Sequence, residues 1–169
     1  MKKSIPIDRI VNIHLDWFNV DNPFSQEWET NNVIYLYFIK TKCLYLGKAH
    51  RRTVRQRYED PDKDKMLKII YKIYKRTPSI RVGYVRNSAE SEEAFGFWIA
   101  QIEKIMIFVG SAMKDEFALN RAGLFKIHAA TNVRIINNGD YSPMQKVYRL
   151  RYAPRLLYAG NRIRKETRN

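Results

Sequence analysis

The chain has 169 residues, 45% of them hydrophobic and 13% aromatic, which suits one folded domain and excludes wholesale disorder. Lys and Arg number 31 against 17 Asp and Glu, a formal charge of +14, so the expected partner is a polyanion, nucleic acid first. The single cysteine, Cys43, excludes an intramolecular disulfide, a cysteine-rich zinc site and a protein-bound iron–sulfur cluster. The start, MKKSIPIDRIVN, has no apolar stretch after its lysines, and no apolar run is read as membrane-spanning. The expectation is a cytoplasmic protein with no membrane partner.

Residues 1–31 show no long period, and DWFNVDNPFS is rich in turn formers; they read as an arm packed on the core. VIYLYFI, Val33 to Ile39, is β-branched and aromatic and predicts a strand. Lys40 to Lys42 then connect it to a second strand, CLYLG, in a hairpin. With a period of 2, Ile34, Leu36 and Phe38 share one face, and Tyr35, Tyr37 and Ile39 the other. Cys43 and Tyr45 should oppose Leu44 and Leu46. The aliphatic face belongs against helices, which leaves the tyrosine face to line a site.

Five cations follow between Lys48 and Arg57, read as a short basic helix closed by Pro61. A second helix is predicted from about Lys63 to Arg76, with Met66, Ile69, Ile70 and Ile73 inward. IRVGYVR, Ile80 to Arg86, reads as a third strand. Asn87, Ser88 and Glu90 signal a helix start, with Phe95, Ile99, Ile102 and Met106 at helical spacing and Gly110 as a stop. Residues 131–169 carry nine Lys or Arg against two acids, interleaved with tyrosines. This stretch reads as a DNA-binding arm or a tail; Val147, Leu150, Leu156, Leu157 and Ile163 argue that most of it packs.

The residue types suggest chemistry before any family is considered. Tyr35 and Tyr45 stand on neighbouring strands, with Lys48 and Arg55 downstream at the start of the basic helix. A cationic helix start beside two phenols offers a phosphate seat. Glu103 lies at the edge of an apolar helix face, where a carboxylate has little structural purpose. Phenols, cations and one carboxylate suit phosphodiester hydrolysis assisted by a single hard metal ion.

At this point the sequence resembles the GIY-YIG nucleases. VIY at Val33–Tyr35, YLG at Tyr45–Gly47, then Lys48 and Arg55 follow that family's order, with the spacing of its bacterial nucleotide-excision member. IEKIMIF around Glu103 resembles the family helix that presents a metal-binding glutamate, and Asn120 in ALNRAG fits its late asparagine. Val33 replaces the first motif's glycine, and the second motif is YLG. The resemblance spans about Val33 to Asn120. It implies an α/β (α+β) fold, a small three-stranded mixed sheet flanked by helices, as a core at 32–125. Residues 1–31 and 126–169 are then N- and C-terminal extensions.

The same resemblance implies a metal-dependent endonuclease that leaves a 5′-phosphate and a 3′-hydroxyl. Tyr35 would be the general base, its phenol lowered by Lys48 and the metal. Tyr45 would position nucleophile or phosphate, and Arg55 would clamp the phosphate. Glu103 would bind Mg²⁺ (or Mn²⁺ in its place), and Asn120 would brace the site. Arg51, Arg52, Arg57, Arg149 and Arg151 are expected to contact double-stranded DNA. A type II restriction endonuclease fits best, since no zinc-finger or repair domain is read in the sequence. A homing or repair nuclease follows, and the rival outside the class is a non-catalytic nucleic-acid-binding protein. A palindromic target cut on both strands would call for a homodimer.

Each residue also has a plainer reading. Tyr37 is a packing residue; His14 and His128 are structural; His50 either orients substrate or is simply exposed. Cys43 is a small buried strand residue. Asp60, Asp62 and Asp64 suggest a calcium loop, but Lys65 and Tyr71 stand where it needs glycine and glutamate, so a solvated turn is expected.

Overall fold

The computed structural model describes residues 10–86, 92–114, 116–120 and 132–150. It is a mixed α+β fold built on one sheet. The strands are β1 (Ile10–Asn19), β2 (Val33–Ile39), β3 (Lys42–Ala49), β4 (Ser79–Val85), β5 (Asn132–Gly139) and β6 (Val147–Leu150). The helices are α1 (Val54–Tyr58), α2 (Pro61–Tyr74) and α3 (Glu92–Lys114), with a 3₁₀ turn at Gln26–Glu29. The sheet order is β3-β2-β4-β1-β5-β6.

The three expected strands are β2, β3 and β4, but among the described residues the sheet has six. Its other half is β1, β5 and β6, which come from the segments read as extensions. β1 is a central strand, antiparallel to β4 and parallel to β5. Its alternation was present in the sequence: Ile13, Leu15 and Trp17 are buried, while Asn12 and Phe18 are exposed. The turn formers after Trp17 obscured that period. Across the β1–β5 pair the Trp17 indole N–H donates to Asn137 Oδ1 at 2.8 Å, and the Asn137 amide donates to the Gln145 carbonyl. A buried indole and a buried amide thus satisfy each other.

Ile34, Leu36, Leu46, Leu15, Trp17, Ile135 and Tyr148 form one core with Ile99, Ile102, Ile105 and Met106 of α3. That helix does not stop at Gly110 but runs on to Lys114. The glycine instead lets Phe117 come close: a Cβ there would lie 2.6 Å from its ring. Phe95–Ala112 is long and apolar enough to cross a membrane by length and composition, which corrects the sequence reading; half of it is buried in the protein, as in a core helix.

The opposite face is not left open. Tyr35 and Tyr37 cluster with Val33, Ala49, Val54, Ile80 and Val82 and are fully buried, with Tyr58, Met66 and Leu67 of α1 and α2 packed against them. α2 turns inward Ile70, Met66, Leu67 and Tyr74, whereas Ile69 and Ile73 are exposed. A register shift between Tyr37 and Phe38 also breaks the hairpin's simple alternation. Cys43 therefore joins the α3 core, and Leu44 packs with Ile39 and Ile70. The helix signal at Asn87, Ser88 and Glu90, His128, Arg151, Leu156, Leu157 and Ile163 lie outside the described residues.

Candidate active site

The site is built at β3, an edge strand, and at the helices that follow it. In the β2–β3 ladder Tyr37 stands opposite Tyr45, and Tyr35 opposite Gly47. The three phenol rings form one cluster, with Tyr35 and Tyr45 centroids 6.1 Å apart and Tyr37 and Tyr45 5.7 Å apart. Tyr35 can lie there because position 47 has no side chain: a Cβ would sit 2.4 Å from its Cζ. The glycine of the YLG motif is a steric requirement of the tyrosine opposite.

Glu103 reaches β3 from α3. Its Oε2 pairs with Lys48 Nζ at 3.0 Å, and its side chain is only 15% exposed. Its partner thus comes from the neighbouring sheet rather than from a helical repeat.

Asn120 caps the free edge of the same strand. Its Oδ1 accepts the Leu46 N–H at 2.8 Å, and its Nδ2 donates to the Leu46 carbonyl at 2.6 Å. The backbone N–H groups of Phe117 and Leu119 likewise donate to the carbonyls of Cys43 and Leu44. Segment 116–120 therefore closes an edge that would otherwise invite foreign strands, and Asn120 fixes the backbone between Tyr45 and Gly47.

The structure does not bring Arg55 to the tyrosines. Its guanidinium bonds Glu29 and the Pro23 carbonyl and lies over the Trp28 ring, tying α1 to the segment before β2. Arg57, rather than Arg55, is the arginine whose charge acts on the tyrosines. Tyr35, Asp60 and Tyr45 raise the Arg57 pKa despite its burial, and Arg57 in turn pulls on both phenols. Asp60, read as a solvated turn residue, holds Arg57 at 2.8 Å and also Arg52. The expected helix-start phosphate seat is also corrected. Thr53 and Gln56 bond each other's backbone N–H in a capping box, so these donors are already used.

Electrostatics set the two phenols apart from ordinary tyrosines. Burial drives Tyr35 well above the usual phenol range, and Tyr45 and Tyr37 push the same way; only Arg57 opposes them. The expected lowering by Lys48 is corrected, because that amine is committed to Glu103. The Tyr35 and Tyr37 hydroxyls are buried without a partner at hydrogen-bonding geometry. Tyr45, half-buried, is also raised, first by burial and then by Glu103. Its hydroxyl accepts from Lys63, on the first turn of α2.

Lys63 was not legible as a site residue. It arrives from a separate helix, and no spacing rule links it to Tyr45. His50 shares a hydrogen bond with Asn32 Oδ1 at 2.7 Å, so it is an anchored side chain rather than a free surface one. Cys43 is buried and its thiol pushed up to about 12, first by burial, which fits a packing role. Arg51, Arg52 and Arg149 are exposed.

Among the described residues no three His, Cys, Asp or Glu side chains converge on a metal position. A metal caged by protein ligands does not fit this donor set. A hard cation held through one carboxylate, drawing its remaining oxygens from water and a phosphate, does fit Glu103. No family model, no curated protein and no solved structure matches this chain.

Proposed function

We propose that the chain is a metal-dependent endonuclease of GIY-YIG type acting on double-stranded DNA, with a type II restriction enzyme as the preferred form. One observation carries the reading. Residues far apart in sequence are gathered around β3: Tyr35 and Tyr45 on its α1–α2 face, the Lys48–Glu103 pair on its α3 face, and Asn120 on its edge between them. Arg57 joins them from α1.

In this reading Tyr45 and Arg57 receive the phosphate, with Tyr35 behind them. The attacking water's oxygen bonds to phosphorus as the P–O3′ bond breaks, and Tyr35 takes the water's proton. The 3′ oxygen takes up a proton from solvent, leaving a 3′-hydroxyl and a 5′-phosphate. Because burial keeps Tyr35 neutral in the free protein, its own proton has to pass to solvent as substrate arrives, which balances the one the 3′ oxygen takes up. Arg57 donates to the charge that builds on the phosphate oxygens. Mg²⁺, with Mn²⁺ as a substitute, would be held by Glu103 and would neutralise charge on the phosphate and leaving oxygen. Lys48 orients that carboxylate, and Asn120 keeps the strand beneath it in register.

Support for sequence-selective binding comes from the other half of the sheet. Its face away from α3 carries Asn12, Arg134, Asn138 and Arg149, types that meet phosphates and base edges. A homing or repair nuclease would use the same chemistry. The buried Tyr35 hydroxyl favours a second reading, a non-catalytic nucleic-acid-binding protein. Incubating plasmid DNA with Mg²⁺ or with a chelator separates them. Cutting only with the metal supports the nuclease; binding without cutting under either condition supports the rival.

A further inference from the structure

We propose that Lys63 is a positioning residue that turns Tyr45 into a hydrogen-bond donor aimed at the substrate phosphate. The inference rests on the nuclease reading above and adds to it a residue outside the motif set. An ammonium group has donors only, so the direction of its bond to a phenol is fixed. Lys63 Nζ donates to the Tyr45 hydroxyl oxygen and lies 3.7 Å from the centre of that ring. With a lone pair of its oxygen occupied in this way, Tyr45 must direct its own proton elsewhere. Among the described residues Lys63 forms no ion pair, so α2 commits this cation to the phenol. That assignment makes Tyr45 the phosphate donor and leaves Tyr35 as the base.

The groups around Lys63 are Arg57 from α1, Glu103 from α3, Tyr45 from β3, and Asp60 and Asp62 at the start of α2. Burial first, then Arg57, bring its pKa down to about 8, against the pull of the three carboxylates. Below that pH the ammonium sets the direction of the Tyr45 proton. Above it the free amine becomes an acceptor, and Tyr45 can turn back toward it.

The experiment is a double-mutant cycle on Lys63→Met and Tyr45→Phe, read in Mg²⁺-dependent cleavage of duplex DNA and in duplex affinity in chelator. Each single variant should lower kcat by about 10²-fold, the usual effect of losing one donor to developing charge, with KM little changed. The double variant should be no slower than Tyr45→Phe alone. Lys63→Arg should restore part of the rate and move the alkaline limb of the pH profile upward. Costs that multiply in the double variant, or an alkaline limb unmoved by Lys63→Arg, would overturn the proposal. A wild-type protein that binds duplex but never cuts would overturn the nuclease reading instead. The affinity cycle then decides the Lys63–Tyr45 coupling: non-multiplicative losses uphold it, and multiplicative losses reject it.

Discussion

Tyr35 packs against Gly47, its partner across the β2–β3 ladder, so closely that a Cβ at position 47 would fall 2.4 Å from Cζ and 2.5 Å from the hydroxyl oxygen. The contact links the fold to the candidate chemistry, because the phenol proposed as base keeps its place only while residue 47 has no side chain.

Gly47→Ala should therefore displace the Tyr35 ring. Overpacking of a dense core costs about 1–3 kcal/mol, a fall in Tm of several degrees for a chain of this size. Cleavage should fall further than stability alone explains. A thermal melt alongside a cleavage assay checks both; an unchanged Tm would mean that the ring is free to move aside.

Tyr35 and Tyr37 form a matched pair for separating chemistry from packing. Both are fully buried, and neither hydroxyl has a partner at hydrogen-bonding geometry. Removing an unsatisfied buried hydroxyl should be neutral or stabilising by up to about 1 kcal/mol, so both Phe variants should melt at or above wild type. Only Tyr35→Phe should abolish cleavage. A Tyr37→Phe variant equally inactive would remove the distinction between the two.

Arg57 and Arg55 should differ in kind. Arg57→Ala should lower cleavage by about 10²–10³-fold, because it removes the cation beside both phenols. Arg55→Ala should act on stability, losing the contacts to Glu29, Pro23 and Trp28 at about 1 kcal/mol, with activity within about tenfold of wild type. Steady-state kinetics with chemical denaturation would resolve the pair. The opposite pattern would restore Arg55 as the phosphate clamp.

These residues also show what the sequence could reveal. Tyr35, Tyr45 and Lys48 were legible as candidates from their order within a short hairpin, whose pleat sets Lys48 on the face opposite Tyr45, where it meets Glu103. Glu103 was legible as an anomaly, a carboxylate at the edge of an apolar helix face. Arg55 was misplaced because α1 has only five residues, so spacing along it does not decide which arginine faces the sheet. Lys63 was invisible because its contact with Tyr45 is made by tertiary packing of α2. The full sheet was missed for a related reason. β1 and β5 lie side by side in parallel, a pairing of distant segments that no local pattern records.

Arg134 and Arg149 face each other across the β5–β6 ladder on the side away from α3. Like charges directly opposite are destabilising, which is tolerable where an anion binds them. Arg134→Gln with Arg149→Gln should raise Tm slightly and weaken duplex binding. The wild-type log affinity against log salt should have a slope near −5 if about six phosphates are neutralised, falling by roughly two in the double variant. Fluorescence anisotropy across a salt series measures it. An unchanged slope would move DNA off this face.

The central claim is most directly tested by single-turnover cleavage and duplex binding with Glu103→Gln. Glutamine keeps size and helix propensity but removes the charge that would hold a hard cation, and it frees Lys48. The account predicts cleavage reduced by about three or more orders of magnitude, with Tm nearly unchanged and duplex affinity in chelator equal to or above wild type. A Glu103→Gln protein that folds, binds and still cuts DNA at close to the wild-type rate would contradict it.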